Sequence, residues 1–288
     1  LGMMACMIAG GIDLSLVGIM NLSGVLAALI VKNMVLIEGG EVANPAMVVP
    51  AIVLACVVAV VVGAACGAFN GFIIGYFGLP AMLVTLGLQL YTGLAYGITG
   101  GPAINGMCDA FKNIANGTVA GIPYVLFIFI AVVAVVVFIM KCTVFGHEIY
   151  FLGSNAQAAM YSGINTLKVT IMTYMFSGIL GGISGILITS HLNSAKSSNG
   201  STYTLLSLLI VGGVHPDGGK GRVAGVVLAV LLLQMIANAF GLMHMSDNAK
   251  TFANGCLLIA ALVLSVVLEK REAQKAALLP ENGCAARS

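Results

Sequence analysis

Charge is scarce in this chain: only 8% of its 288 residues are charged, against 60% hydrophobic, and the mean hydropathy is +1.08. A soluble domain carries about 25% charged residues, so water cannot solvate this surface all round. The chain is an integral membrane protein. The net charge of +2 gives no basic face for nucleic acid. Runs of short alternating strands are missing as well, which excludes an outer-membrane barrel, whereas several apolar runs of about 20 residues suit helical spans. The seven cysteines, Cys6, Cys56, Cys66, Cys108, Cys142, Cys256 and Cys284, contain no CxxC pair. Most lie in apolar runs and read as small core residues rather than disulfides or metal ligands. No metal or cofactor is expected. Two near-motifs fail on single residues. HEIYF at 147–151 lacks the second histidine of a zincin, and VHPDGGKG at 214–221 lacks the first glycine and the final Ser/Thr of a P-loop. The chain is therefore expected to hydrolyse no nucleotide by itself. Leu1 already lies in an apolar run with no charged region before it, so a signal peptide is not expected and a start inside a longer protein is.

What is present is a succession of apolar segments, at about 1–31, 47–75, 79–100, 119–140, 168–190, 203–214, 222–242 and 251–268. They predict an all-α, polytopic membrane helical bundle. The first segment is long and interrupted at Gly10–Ser15, which predicts a broken helix near the N-terminus. The segment 203–214 is too short to cross alone and predicts a re-entrant element or half-helix. Residues 1–268 form one transmembrane domain, and 269–288 a polar tail.

The few charges set an orientation. Lys141, Lys168, Lys220, Arg222, Lys270, Arg271, Lys275 and Arg287 fall on one side of alternating spans, and Lys32, Lys112, Lys196 and Lys250 on the other. The positive-inside rule puts the larger group in the cytoplasm. That places the 141–167 loop, the 215–222 loop and the C-terminus inside. Gly63, Gly67, Gly71 and Gly75 recur every fourth residue and predict one close-packing helix face. Gly93, Gly97 and Gly101 repeat the spacing, as do Ser177, Gly181 and Gly185, and packing within one subunit is the expectation for each.

One charge stands where it is expensive. Asp13, in GGIDLS at 10–15, lies in an apolar segment, where a carboxylate costs about 2.5–3.5 kcal/mol on insertion scales. Gly10 and Gly11 loosen a helix, and Asp13 and Ser15 are residue types that cap a new helix start. Broken helices recur at transporter binding sites, so Asp13 and Ser15 are candidates both for capping and for the substrate path. Uncharged polar residues within spans extend that path: Asn21, Asn70, Thr85, Gln89, Asn193, Gln234 and Asn238 offer donors and acceptors without full charge, as a polyol requires. Hydrogen bonding between helices is the competing role for each of them.

In the 141–167 loop, GSNAQAAMYSGI at 153–164 predicts a short helix. Ser154 or Asn155 caps it, Ala156, Ala158 and Ala159 form it, and Gly163 stops it. On residues alone this is a surface helix.

GGIDLS at 10–15, GLPAMLVTLG at 78–87, GHEIYFLGSNAQAAMYSGI at 146–164 and VGGVHPDGGKGR at 211–222 together resemble the permease subunits of bacterial ABC sugar importers, of the ribose, galactose, xylose and autoinducer-2 type. The likeness covers nearly the whole chain in order. It departs at Ser15, Leu16, Val17 and Gly18, where the family usually reads SVG, and at Val214 and His215, where Thr-Ser is frequent. Family members generally carry a further helix before the region of Leu1. The resemblance implies a homodimer in the bacterial inner membrane, a separate cytoplasmic ATPase and an extracytoplasmic sugar-binding protein. It also implies that the helix near 153–163 is a coupling helix, with Gly153, Ser154, Asn155, Ala158, Ala159, Ser162 and Gly163 seated against the ATPase. An importer of nucleosides or branched-chain amino acids and an ion-coupled carrier using Asp13 are the competing functions.

Overall fold

The computed structural model describes residues 1–35, 45–197, 214 and 218–246, with isolated positions between 249 and 267. Among the described residues six helices are long and apolar enough to cross a membrane, at Leu16–Val35, Pro45–Phe77, Ala81–Thr99, Tyr124–Cys142, Thr166–Leu192 and Val223–Phe240. The all-α, multi-pass bundle expected from composition is what forms. The chain divides into two compact units, one of Leu1–Tyr203 with His215–Val223 and one of Thr204–Val214 with Ala224–Ser288. The element expected at 203–214 lies outside the described residues except for Val214, as does the tail.

In the first unit a short helix α1 (Gly2–Ile8) is followed by the irregular stretch 9–15 and then by α2 (Leu16–Val35). After a 3-10 turn at Pro45–Met47 comes α3 (Val48–Phe77), then α4 (Ala81–Gly87) and α5 (Leu90–Thr99), which share one span. A short helix α6 (Asp109–Asn116) precedes the span α7 (Tyr124–Cys142). The loop that follows holds α8 (Val144–Ser154) and α9 (Ala156–Tyr161), and α10 (Thr166–Leu192) crosses back. Two-residue strands pair Ile104–Asn105 with Ser194–Ala195 and Thr118–Val119 with Ile122–Pro123 at the other end. The 20-residue apolar helix α11 (Val223–Leu242) belongs to the second unit from Ala224 onward.

The centre of the first unit is α10, gripped by α2 and α3 through small residues. The glycine face of α3 does what its spacing predicts. A Cβ at Gly63 would overlap the Gly178 carbonyl, one at Gly67 the Tyr174 carbonyl, and one at Gly71 would lie 2.6 Å from the Ile171 Cα. Backbone therefore rests on backbone, the contact that replaces a hydrophobic drive in lipid. On α10 two stripes share this work. Gly178 and Gly182 meet α3, while Gly181 and Gly185 meet Leu16 and Met20 of α2; the first stripe was not singled out by the sequence pattern. The repeat at Gly93 and Gly97 behaves differently, because nothing lies within 4 Å of a Cβ built at either. The expectation of close packing within the subunit fails there. The outward faces, such as Val49, Val53, Val57 and Val61 on α3, stay exposed, as a lipid-facing stripe should.

The interruption at 9–15 exists, but the chain does not continue through it. Along α1, Gly2 abuts Ser177 and the Cys6 thiol reaches the Thr173 carbonyl at 3.9 Å, so α1 runs against α10. Along α2, Leu16 meets Gly181 and Gly24 meets Gly185, so α2 runs with it. The break is a reversal of direction, not a kink within one span. A polar stretch of glycines, aspartate and serine suits it because a tight turn needs both backbone freedom and local acceptors.

Candidate functional site

The reversal is held by a buried hydrogen-bond network. Asp13 is fully buried, and its Oδ1 accepts from the Ser15 hydroxyl at 2.6 Å and from the Ser15 N–H at 3.2 Å. A side-chain oxygen bonding the backbone two residues on is the turn that aspartate characteristically makes. Its Oδ2 accepts from the Ser177 hydroxyl on α10 at 2.9 Å. Asn70 of α3 donates to the Ser15 oxygen at 2.6 Å and accepts from the Tyr91 hydroxyl of α5 at 2.8 Å. Thr85 of α4 donates to the Ile12 carbonyl at 3.0 Å. The reversal and four helices thus join around one carboxylate, which Ser15 and Ser177 bond directly. Every donor in the chain Tyr91, Asn70, Ser15 points its proton toward Asp13, and Ser177 adds another. Such an array offsets part of the cost of burying a carboxylate, because hydrogen bonds to a charged acceptor are about twice as strong as neutral ones. Beside it, the buried Tyr174 hydroxyl has no partner and stands against Gly11, where a Cβ would overlap it.

Of the residues proposed for a substrate path, Asp13, Ser15, Asn70 and Thr85 come together here. The others do not. Asn21 is buried on α2 and donates to the Ser197 carbonyl at 2.6 Å. Asn193 takes a left-handed φ of 50° at the end of α10 and accepts from the Met107 N–H at 3.0 Å. Gln89 is exposed at the start of α5. In the second unit Gln234 and Asn238 are exposed and bonded to each other at 3.2 Å, one helical turn apart. Ser177 and Tyr91 are the network members that sequence reading missed as polar partners, and the unpartnered Tyr174 hydroxyl beside them was missed as well. Ser177 had shown itself only as a small residue in a packing repeat, and no spacing in one dimension links four helices.

The 141–167 loop holds two helices where one was expected. Thr143 caps α8 by accepting from Gly146 N–H at 3.2 Å, and Asn155 caps α9 by accepting from Ala158 N–H at 2.9 Å. The choice between Ser154 and Asn155 therefore falls to Asn155. Gly163, at φ +81°, ends α9 as predicted. The face is not the one expected. Ala159 is fully buried and Gly153 is wedged against other backbone, so neither is free to meet a partner. Ser154, Asn155, Ala158, Ser162 and Gly163 are exposed, and the large exposed side chains are Met160 and Tyr161, the latter 86% accessible. Tyr150 of α8 donates to the Gly221 carbonyl at 2.8 Å, and burial pushes its phenol up, so it remains a neutral donor.

Residues 1–262 match a family described as branched-chain amino acid transport system / permease component. The ribose import permease protein of Haemophilus influenzae is 33% identical over 269 residues, covering 91% of this chain and 79% of that protein. The chain belongs to this permease family. The L-arabinose transport system permease protein of Escherichia coli is 27% identical over 272 residues, 93% of this permease and 78% of its own length. The D-allose transport system permease protein of the same species is 30% identical over 275 residues, with 94% and 79% covered. No solved structure gives a significant match.

Within the permease, three of the stretches that carried the resemblance adjoin one another at Gly10, Gly153 and Gly218. GGIDLS forms the reversal and its network, while the end of α8, the start of α9 and the 218–222 segment of the PDGGKGR stretch lie at the same end of the first unit. No group of three or more potential metal ligands occurs among the described residues.

Proposed function

We propose that this permease is the membrane-spanning subunit of an ATP-driven ABC importer that translocates a simple sugar delivered by an extracytoplasmic binding protein. The observation that carries the reading is that relatives covering nine-tenths of the chain are named for ribose, L-arabinose and D-allose. Two copies would form the pathway in a bacterial inner membrane, with the 141–167 loop and the C-terminus in the cytoplasm, as the eight-to-four division of basic residues favours. A separate ATPase would supply the energy. Its docking surface on this chain would be the exposed face of α9, where Met160 and Tyr161 supply an apolar knob on a short helix. The Asp13 network supports a stabilising role for the reversal first. Its oxygens already receive three donors, which leaves little room for a coordinated ion and counts against an ion-coupled carrier. The sugar would instead meet neutral polar groups.

A second reading has its own observation, since the family description names branched-chain amino acids. Stimulation of ATP hydrolysis in the assembled complex separates the two. With the permease, its ATPase and its binding protein in lipid nanodiscs, an aldopentose or aldohexose should raise hydrolysis and leucine should not. Stimulation by leucine alone would favour the second reading, and none by either would remove both.

A further inference from the structure

Three chain segments meet on glycines at the end of the first unit that holds α8 and α9. Gly219 N–H donates to the Ile8 carbonyl, the last of α1, at 2.8 Å. Gly153, next to last in α8, is wedged into the same contact: a Cβ there would overlap the Ile8 oxygen and lie 2.6 Å from the Gly219 nitrogen. Gly218 has φ +88°, and its Cβ would lie 2.8 Å from both the Gly10 Cα and the Gly153 carbonyl oxygen. Gly219 has φ +72°, and its Cβ would lie 2.9 Å from the Ser154 Cα. The Tyr150 hydroxyl adds a bond from α8 to the Gly221 carbonyl at 2.8 Å. Both left-handed conformations favour glycine, and so does every close approach.

The joint is connected in both directions. On one side Gly153 is followed within two residues by Asn155, whose side chain caps α9. On the other, Gly10 begins the reversal that ends on Asp13, whose carboxylate is bonded to α10 and, through Ser15 and Asn70, to α3 and α5. A contact of backbone on backbone has no side chain that can change rotamer and absorb a displacement, and protein interiors are too densely packed to compress. A joint filled by leucines would give; this one has nothing to give.

We propose that Gly153, Gly218 and Gly219 are positioning residues for transport, passing a displacement of α9 to the Asp13 turn so that the ATPase side and the hydrogen-bonded reversal move together. The inference rests on the assignment of α9 as the ATPase-docking helix. Coupling of this sort requires an element with two discrete arrangements that both ends bias, and the Asp13 network, bonded or released, is that element.

The test is sugar uptake and ATP hydrolysis measured together in proteoliposomes holding the permease, its ATPase and its binding protein. Gly153→Ala prises the joint apart, Tyr150→Phe removes one bond and leaves the shape, and Gly87→Ala, where a Cβ meets nothing within 4 Å, is the control. Uptake per ATP should fall at least about fivefold in Gly153→Ala, the low end of ordinary coupling between sites. It should fall measurably in Tyr150→Phe and not in Gly87→Ala. A joint that only holds the fold together would lower both rates in step and keep the ratio. An unchanged ratio in Gly153→Ala and Tyr150→Phe overturns the inference; if Gly153→Ala does not assemble, Tyr150→Phe alone decides. A parent complex that takes up no sugar on ATP overturns the proposed function and this inference with it. Full retention of the ATPase by Tyr161→Ala overturns the docking assignment on which the inference rests. Neither is the same result as an unchanged ratio in an active complex.

Discussion

Asp13 answers for its own placement at the scale of the residue. An isolated buried carboxylate would be costly, but this one receives the Ser15 hydroxyl, the Ser15 N–H and the Ser177 hydroxyl. Removing the acceptor strands those donors. Asp13→Leu should therefore abolish assembly, since each buried donor left unpaired costs about 1–3 kcal/mol. Asp13→Asn should stay folded, because the amide oxygen still accepts and the Ser177 hydroxyl can rotate to receive the new N–H. Melting in detergent micelles, followed by size-exclusion chromatography, separates the two outcomes. If Asp13→Leu melts with the parent, the network does not hold the reversal. The tyrosines give an opposed pair. Tyr91→Phe removes the donor to Asn70 Oδ1 and should lower stability by about 1–3 kcal/mol. Tyr174→Phe removes a buried hydroxyl that has no partner and should be neutral or stabilising. A larger loss from Tyr174→Phe than from Tyr91→Phe in the same melting assay would contradict the described bonding.

Small residues at the scale of the element are not equivalent, although the sequence writes them alike. Gly67 lies on the Tyr174 carbonyl, whereas a Cβ at Gly97 meets nothing. Gly67→Val should break the α3–α10 contact, with a cost above the 1–3 kcal/mol usual for over-packing because backbone cannot move aside. Gly97→Ala should leave the isolated subunit unharmed, or raise its melting temperature slightly, since alanine is favoured over glycine within a helix by about 1 kcal/mol. A melting series on both reads this directly, and equal losses would mean that the Gly93–Gly97 face is covered in the assembled protein. The spans, the α3 glycine face, the N-cap of α9 and the stop at Gly163 were legible in the sequence because each follows from local spacing. The reversal at 9–15 was not, since two apolar helices separated by a polar break read the same whether the chain goes on or turns back. Nor was the inward turn of Ala159. A six-residue alanine-rich helix has no pattern to tell its buried face from its free one, and tertiary packing decides. Replacing Ala159 by Trp should consequently damage the fold of the 141–167 loop. Tyr161→Ala should leave the permease folded while weakening its copurification with the ATPase, and full retention of the ATPase would remove α9 as the docking helix.

Direction in the membrane and source of energy belong to the whole molecule. The proposed direction rests on the division of basic residues. A cysteine introduced as Ser154→Cys, at an exposed position, should be protected from an impermeant thiol reagent in intact cells and labelled once the membrane is opened; labelling in intact cells would invert the topology. The proposed energy source is a separate ATPase, for a chain belonging to a family of transport permeases. Its most direct measurement is uptake of radiolabelled sugar into vesicles that contain the permease, its ATPase and its binding protein, with and without ATP and with ionophores that collapse proton and sodium gradients. Uptake that needs ATP and the binding protein and survives the ionophores is the predicted result; uptake driven by an ion gradient without ATP would contradict it.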